Sequence, residues 1–157
     1  MIPAVHPSET AVTLVRSELL GDLRIQPNHS LVFPTGMLGF PECRRFALLR
    51  GERDGLFWLQ SMEHSALTFL LVDPFTLDSG FAFDVPPSQT MELGAMSSAD
   101  VGLLAVVTLP SGDGEQPTAN LQGPIVINFG ARRAKQIVSS DEKFGVRYEF
   151  PLSRIAG

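Results

Sequence analysis

The chain has 157 residues, 44% apolar and 18% charged; that length suits one domain, and that composition excludes an intrinsically disordered chain. Seventeen acidic against twelve basic residues leave a formal charge of −5, and the scattered basic residues form no cationic footprint for nucleic-acid phosphates. Cys43 is the only cysteine, which rules out an internal disulfide and any cysteine-rich metal centre, and no apolar run reaches the roughly 18 residues of a membrane span.

Residues 1–10 carry two prolines and little pattern, and they read as a flexible lead-in to a single domain over residues 11–157. They show neither a basic n-region nor an apolar h-region, so the expected address is cytoplasmic. Strands are predicted in chain order at residues 11–16, 23–26, 31–33, 45–49, 56–60, 67–73, 81–85, 102–109, 125–129, 135–139 and 146–150. The last is the clearest, with Val146, Tyr148 and Phe150 on one face and Arg147 and Glu149 on the other. Asp54-Gly55 reads as a hairpin turn between two apolar runs. Only residues 87–96 look helical, with Pro87 suited to a first turn and Gly94 near the end. Fourteen glycines and twelve prolines at short intervals fit an all-β fold, mainly antiparallel, sandwich or barrel-like, with one short helix.

Motifs that carry chemistry are mostly missing. Gly112-Asp113-Gly114 is the nearest approach to a phosphate loop, but Pro117 stands where the dinucleotide fingerprint needs its third glycine. His6, His29 and His64 are far apart, and none has a second histidine three or four residues on, so no metal or cofactor is expected. Cys43 between Glu42 and Arg44-Arg45 reads as a buried or half-buried small residue rather than a reactive thiolate. Asp113, Glu115, Asp141 and Glu142 fall in loops, where carboxylates keep a domain soluble. No enzymatic activity is expected. Gln60, Asn120, Asn128 and Gln136, in contrast, interrupt apolar stretches. Such amides either pin loops and bulges to the sheet or meet a partner, because an unpaired buried amide costs a few kcal/mol.

Several of these segments together resemble the flagellar assembly factor FliW family. The similarity runs through Leu20-Gly21-Asp22-Leu23-Arg24-Ile25, the Phe33-Pro34-Thr35-Gly36-Met37-Leu38-Gly39-Phe40 block, and Phe57-Trp58-Leu59-Gln60-Ser61-Met62-Glu63. It continues in Val72-Asp73-Pro74 and in the run from Thr118 through Asn120, Leu121, Pro124 and Ile125 to Asn128. Leu20, Phe81 and Ser139 depart from the residues usual at their places in the family. The resemblance implies a cytoplasmic, non-enzymatic regulator with an antiparallel barrel-like fold. Such a protein holds newly made flagellin through its terminal helical region. When free of flagellin it binds and antagonises the translational repressor CsrA, which relieves repression of flagellin mRNA.

For the contact surface, the expectation combines the residue 33–40 loop with the edge at residues 118–128. There Phe40, Leu121, Pro124 and Ile125 would receive an amphipathic helix, with Asn120 and Asn128 beside them. Glu63, Asp73, Asp78 and Asp84 would supply an acidic rim for a basic partner. Taken singly, these apolar residues fit core or turn positions better than contact positions. A small hydrolase with a spatially assembled site and a purely structural or oligomerisation module are the alternative readings, since a triad is assembled in space rather than in sequence.

Overall fold

Apolar side chains on both faces of the central strands decide how this chain packs. The structure, a computed structural model, describes residues 12–155. Strands β1 (Thr13–Ser17) and β2 (Gly21–Ile25) form an antiparallel hairpin of their own. A second sheet contains β3 (Ser30–Val32), β4 (Arg45–Arg50), β5 (Leu56–Ser61), β6 (Thr68–Val72) and β7 (Gly102–Thr108). It continues with β8 (Thr118–Ala119), β9 (Ile125–Asn128), β10 (Arg133–Gln136) and β11 (Tyr148–Glu149). Neighbours run β3, β4, β5, β6, β7, β9, β10, and β10 returns to β3, so seven strands close a barrel. Every pairing is antiparallel except β10 with β3, which is parallel through Arg133 and Val32. Closure leaves no open edge among those seven strands. Short β8 and β11 continue outward from the end of β7.

Inward positions of successive strands fill the barrel. Leu31, Phe46, Leu59, Leu71, Leu104, Ile125 and Ile127 are buried there, and the rings of Phe33 and Phe46 meet edge to face at 5.0 Å. Alternate residues point outward, yet they are not exposed. Leu70, Val72, Ala105 and Val107 pack under Phe81, Leu121 and Phe150. Val126 and Ile137 are covered by Val85 and Leu93, and Ala47 is covered by Val15 and Ile25 of the β1–β2 hairpin. Strands buried on both faces need apolar residues at both parities, which explains the unbroken runs in the sequence.

The all-β, mainly antiparallel barrel with one short helix among the described residues is what the sequence predicts. Helix α1 (Pro87–Glu92) is shorter than the predicted 87–96, because the chain leaves it through Gly94 at φ +78°. The strand predicted at residues 81–85 does not form. Phe81 and Val85 are buried as the alternation requires, but they cover the barrel as a packed strap with no ladder partner. At residues 146–150 only Tyr148 and Glu149 pair, and Val146 is 52% exposed rather than inward. The lead-in expected over residues 1–10 lies outside the described residues. No described helix is long and apolar enough to cross a membrane.

Candidate functional site

One end of the barrel gathers most of the residues singled out above. The register sets Phe46 opposite Ser61, so the residue 33–44 loop entering β4 and the turn leaving β5 are neighbours. Gln136 pairs with Ile125 and Arg133 with Val32, which brings the segment before β9 to this same end. The loop is tightly made. The Gly36 amide donates to Phe33 O, Met37 N to Cys43 O, Phe40 N to Met37 O and Cys43 N to Phe40 O. Phe33, Met37 and Cys43 turn into the core while Leu38 (56%) and Phe40 (37%) face outward. Phe40 is braced edge-on against Phe69 at 6.0 Å. Leu109 and Val138 are also exposed, the first just beyond β7 and the second beside Gly123. This end therefore presents exposed apolar side chains, Leu38, Phe40, Leu109 and Val138 among them, on a hydrogen-bonded frame.

The predicted contact edge requires correction. Ile125 is 0% exposed and lines the barrel interior; Leu121 and Pro124 are buried as well. Their apolar character is spent on the core, so none of the three offers a surface to a partner. Among the predicted apolar contacts only Phe40 is outside. Leu38, Leu109 and Val138 were not singled out in the sequence, although Leu38 sits between the two glycines that turn the loop.

The amides serve the frame. Asn128 is buried, donates to Leu93 O at 2.9 Å and accepts from Ala131 N at 3.2 Å, tying the end of α1 to the barrel. Asn120 Oδ1 accepts from the Gln122 and Gly123 amides at 3.1 and 2.9 Å. Gln136 Nε2 donates to Gly123 O, and buried Gln60 donates to Ser61 O while accepting from the Thr68 hydroxyl. Each is a loop pin of the kind the residues suggested.

The predicted acidic rim divides. Glu63 is exposed at the loop end and its Oε1 accepts from the Arg44 and Arg45 amides at 2.8 and 2.9 Å. Asp73 caps the turn after β6, accepting from Phe75 N. Glu63 and Asp73 thus stand at opposite ends of β6, roughly 14 Å of strand apart, and do not share one rim. Asp78 accepts from Gly80 N and from the Tyr148 hydroxyl in the outer layer, and Asp84 is exposed on the strap. At the loop end Glu63 is joined by exposed Glu42 and by Glu18, which accepts from the Ser65 hydroxyl. The opposite mouth holds a cavity of about 410 Å³ floored by Leu31, Leu48 and Phe57 and flanked by Arg50, Arg132 and His29.

Topology also creates a proximity that sequence spacing concealed. Glu42, Cys43 and His64 each bring a donor atom within 4.8 Å of the others. Cys43 is a buried thiol, and burial first, then the charges of Glu42 and Glu63, push it above its ordinary pKa. The histidine spacing points to no metal, because the 20 residues between Cys43 and His64 hide a contact that antiparallel pairing makes.

The family model described as FliW protein matches residues 14–150. The chain belongs to the FliW family. A flagellar assembly factor FliW from Moorella thermoacetica is 37% identical over 136 residues, covering 86% of each chain. Another, from Natranaerobius thermophilus, is 34% identical over 125 residues, or 79% of this chain and 83% of the relative. A crystal structure of the flagellar assembly factor FliW superposes with a TM-score of 0.79 at 30% identity, covering 88% of this chain and 98% of that one. Membership accounts for the barrel. This FliW chain is thereby a flagellar assembly factor.

Proposed function

We propose that the protein acts in the cytoplasm by occupancy, holding flagellin before export and, once released, holding the repressor CsrA. The observation that carries this reading is the pair of exposed apolar side chains, Leu38 and Phe40, on a loop whose backbone is pinned at every turn. A pre-formed apolar platform suits the apolar face of an amphipathic helix, which is the form of flagellin's terminal region, because little ordering entropy is lost on docking. Leu109 and Val138 are exposed as well, beyond the end of β7 and beside Gly123. Glu18, Glu42 and Glu63 at the same end suit a basic partner such as CsrA, whose encounter rate their charge would raise. If one end serves both proteins, coupling is negative and reciprocal: flagellin weakens CsrA binding by the factor by which CsrA weakens flagellin binding. No bond is made or broken in this scheme.

Titrating the purified chain with flagellin, then adding CsrA to the complex and to the free chain, tests the proposal. Expected are a stoichiometric flagellin complex, a CsrA complex with the free chain, and displacement of one by the other. Leu38→Asp should weaken flagellin capture at least about tenfold, the effect of removing a well-packed apolar contact at the centre of an interface. A folded protein that captures neither partner would sink the proposal.

A further inference from the structure

We propose that Glu42, Cys43 and His64 form a binding site for one borderline-soft divalent cation, zinc by donor chemistry, at the end of the barrel that carries the residue 33–44 loop. The inference stands apart from the partner scheme and uses none of its assumptions.

The three donor atoms lie within 4.8 Å of one another. Around a tetrahedral zinc ion, with bonds of about 2.0–2.3 Å, donors sit about 3.3–3.8 Å apart. Glu42 and His64 are exposed and free to close that gap by a rotamer change, whereas Cys43 is buried and fixed. Cys43 Sγ already lies 3.9 Å from Glu42 Oε1.

The backbones bearing these donors are held in place. Cys43 N donates to Phe40 O at 3.0 Å and its carbonyl accepts from Met37 N at 3.3 Å. The Ser61 hydroxyl accepts from the amides of Glu63 and His64 at 3.0 and 2.9 Å. His64 O accepts from Leu67 N at 3.1 Å and from Gln60 Nε2 at 3.3 Å. Gln60 is thus a positioning residue for the histidine's turn. Such outer-shell support is what orients metal ligands in built sites.

Charge and softness agree with the geometry. Exposed Glu63, adjacent to His64, adds negative charge at this end without being needed as a ligand. On binding, the Cys43 S–H proton leaves to solvent and the thiolate gives its electron pair to the metal. Neutral His64 and ionised Glu42 each donate a lone pair. One dication, one thiolate and one carboxylate sum to zero charge, and a water takes the fourth position. Thiolate with imidazole selects zinc or cobalt over magnesium and calcium, which need oxygen donors. A bound ion would clamp the loop entering β4 to the turn leaving β5.

The full-length chain, reduced and stripped with chelator, is titrated with Co²⁺ and then with Zn²⁺. Expected are one equivalent of cobalt, a thiolate-to-cobalt charge-transfer absorption in the near ultraviolet, and its loss on adding zinc. Cys43→Ser should abolish that absorption. His64→Ala changes an exposed side chain, so the fold is kept, and it should weaken zinc binding by more than about tenfold. Glu42→Gln should weaken it less. The double variant His6→Ala, His29→Ala should leave it unchanged. Cobalt bound without the thiolate absorption, binding that His64→Ala leaves unaltered, or no binding at millimolar metal would overturn the proposal. Flagellin capture enters none of these readouts, so this site and the partner scheme fail separately.

Discussion

Gly36 lies directly against the backbone of Pro41: a Cβ built on it would stand 2.3 Å from the Pro41 carbonyl oxygen. Its φ of +77° places it in the left-handed region as well. The obstacle is main chain and cannot rotate away, so Gly36→Ala should combine steric displacement with backbone strain and cost more than about 2 kcal/mol. Gly39 supplies the control. Its φ is +86°, but nothing lies within 4 Å of its Cβ position, so Gly39→Ala should cost only the conformational strain of about 1–2 kcal/mol. Urea unfolding of the two variants checks the order. Equal losses would show that the close approach to Pro41 is not what requires glycine there.

Ile125 and Leu38 separate core from surface. Ile125→Arg places an unpaired charge inside the closed barrel and should destabilise the fold by several kcal/mol, about 4 or more. Leu38→Asp alters a side chain 56% exposed at the tip of the loop and should shift stability by no more than about 0.5 kcal/mol. Thermal unfolding of both variants is the measurement. A native melting temperature for Ile125→Arg would return this residue to the surface that the sequence suggested.

The misplacement of Ile125 has a physical origin. Along β9, Ile125, Val126, Ile127 and Asn128 are all buried, since one face fills the barrel and the other lies under Val85 and Leu93. An apolar residue in such a strand has the composition of a contact patch and the location of a core. Barrel closure puts Ile125 in the core, and the strap of residues 81–85 does the same for the outward face at Val126; the strap itself fits a strand pattern because its inward alternation is genuine. What it lacks is a ladder partner, and pairing is a long-range property that a local pattern does not carry. The amides were more legible. A buried Gln60 or Asn128 must find partners wherever it lies, so its role follows from residue type and surroundings alone. The neighbourhood of Glu42, Cys43 and His64 was illegible for the opposite reason, being a product of β4–β5 register.

Asn128 joins two elements 35 residues apart through the Leu93 carbonyl. Asn128→Ala would leave that carbonyl and the Ala131 amide short of a partner, at a cost of about 1–3 kcal/mol. The loss should be local before it is global. Hydrogen exchange at residues 89–95, the end of α1 and its exit turn, should accelerate more than exchange in β5 or β6. Asn128→Asp should be worse, because a carboxylate facing a carbonyl replaces a donor with a charge. Uniform acceleration across the barrel would contradict the local tie.

Glu115 gives the chain a small acid-sensitive contact. Its carboxylate accepts from the Ser111 amide at 3.1 Å, the Ser111 hydroxyl at 3.2 Å and the Gly112 amide at 3.2 Å. The Ser111 amide leads these bonds in holding its pKa below the ordinary value of 4.5. A carboxyl with a lower pKa folded than unfolded stabilises the fold above the unfolded value, and that contribution is lost as pH falls through the folded one. The site is fully exposed, so the contribution is modest. The advantage of the wild type over Glu115→Gln should therefore be constant near neutrality and shrink as pH drops below the ordinary value of 4.5. Urea midpoints of the two proteins across that range test the sign, and an NMR titration of the Glu115 side chain tests the cause. A Glu115 that titrates at or above 4.5 would mean that these three donors do not hold its charged form.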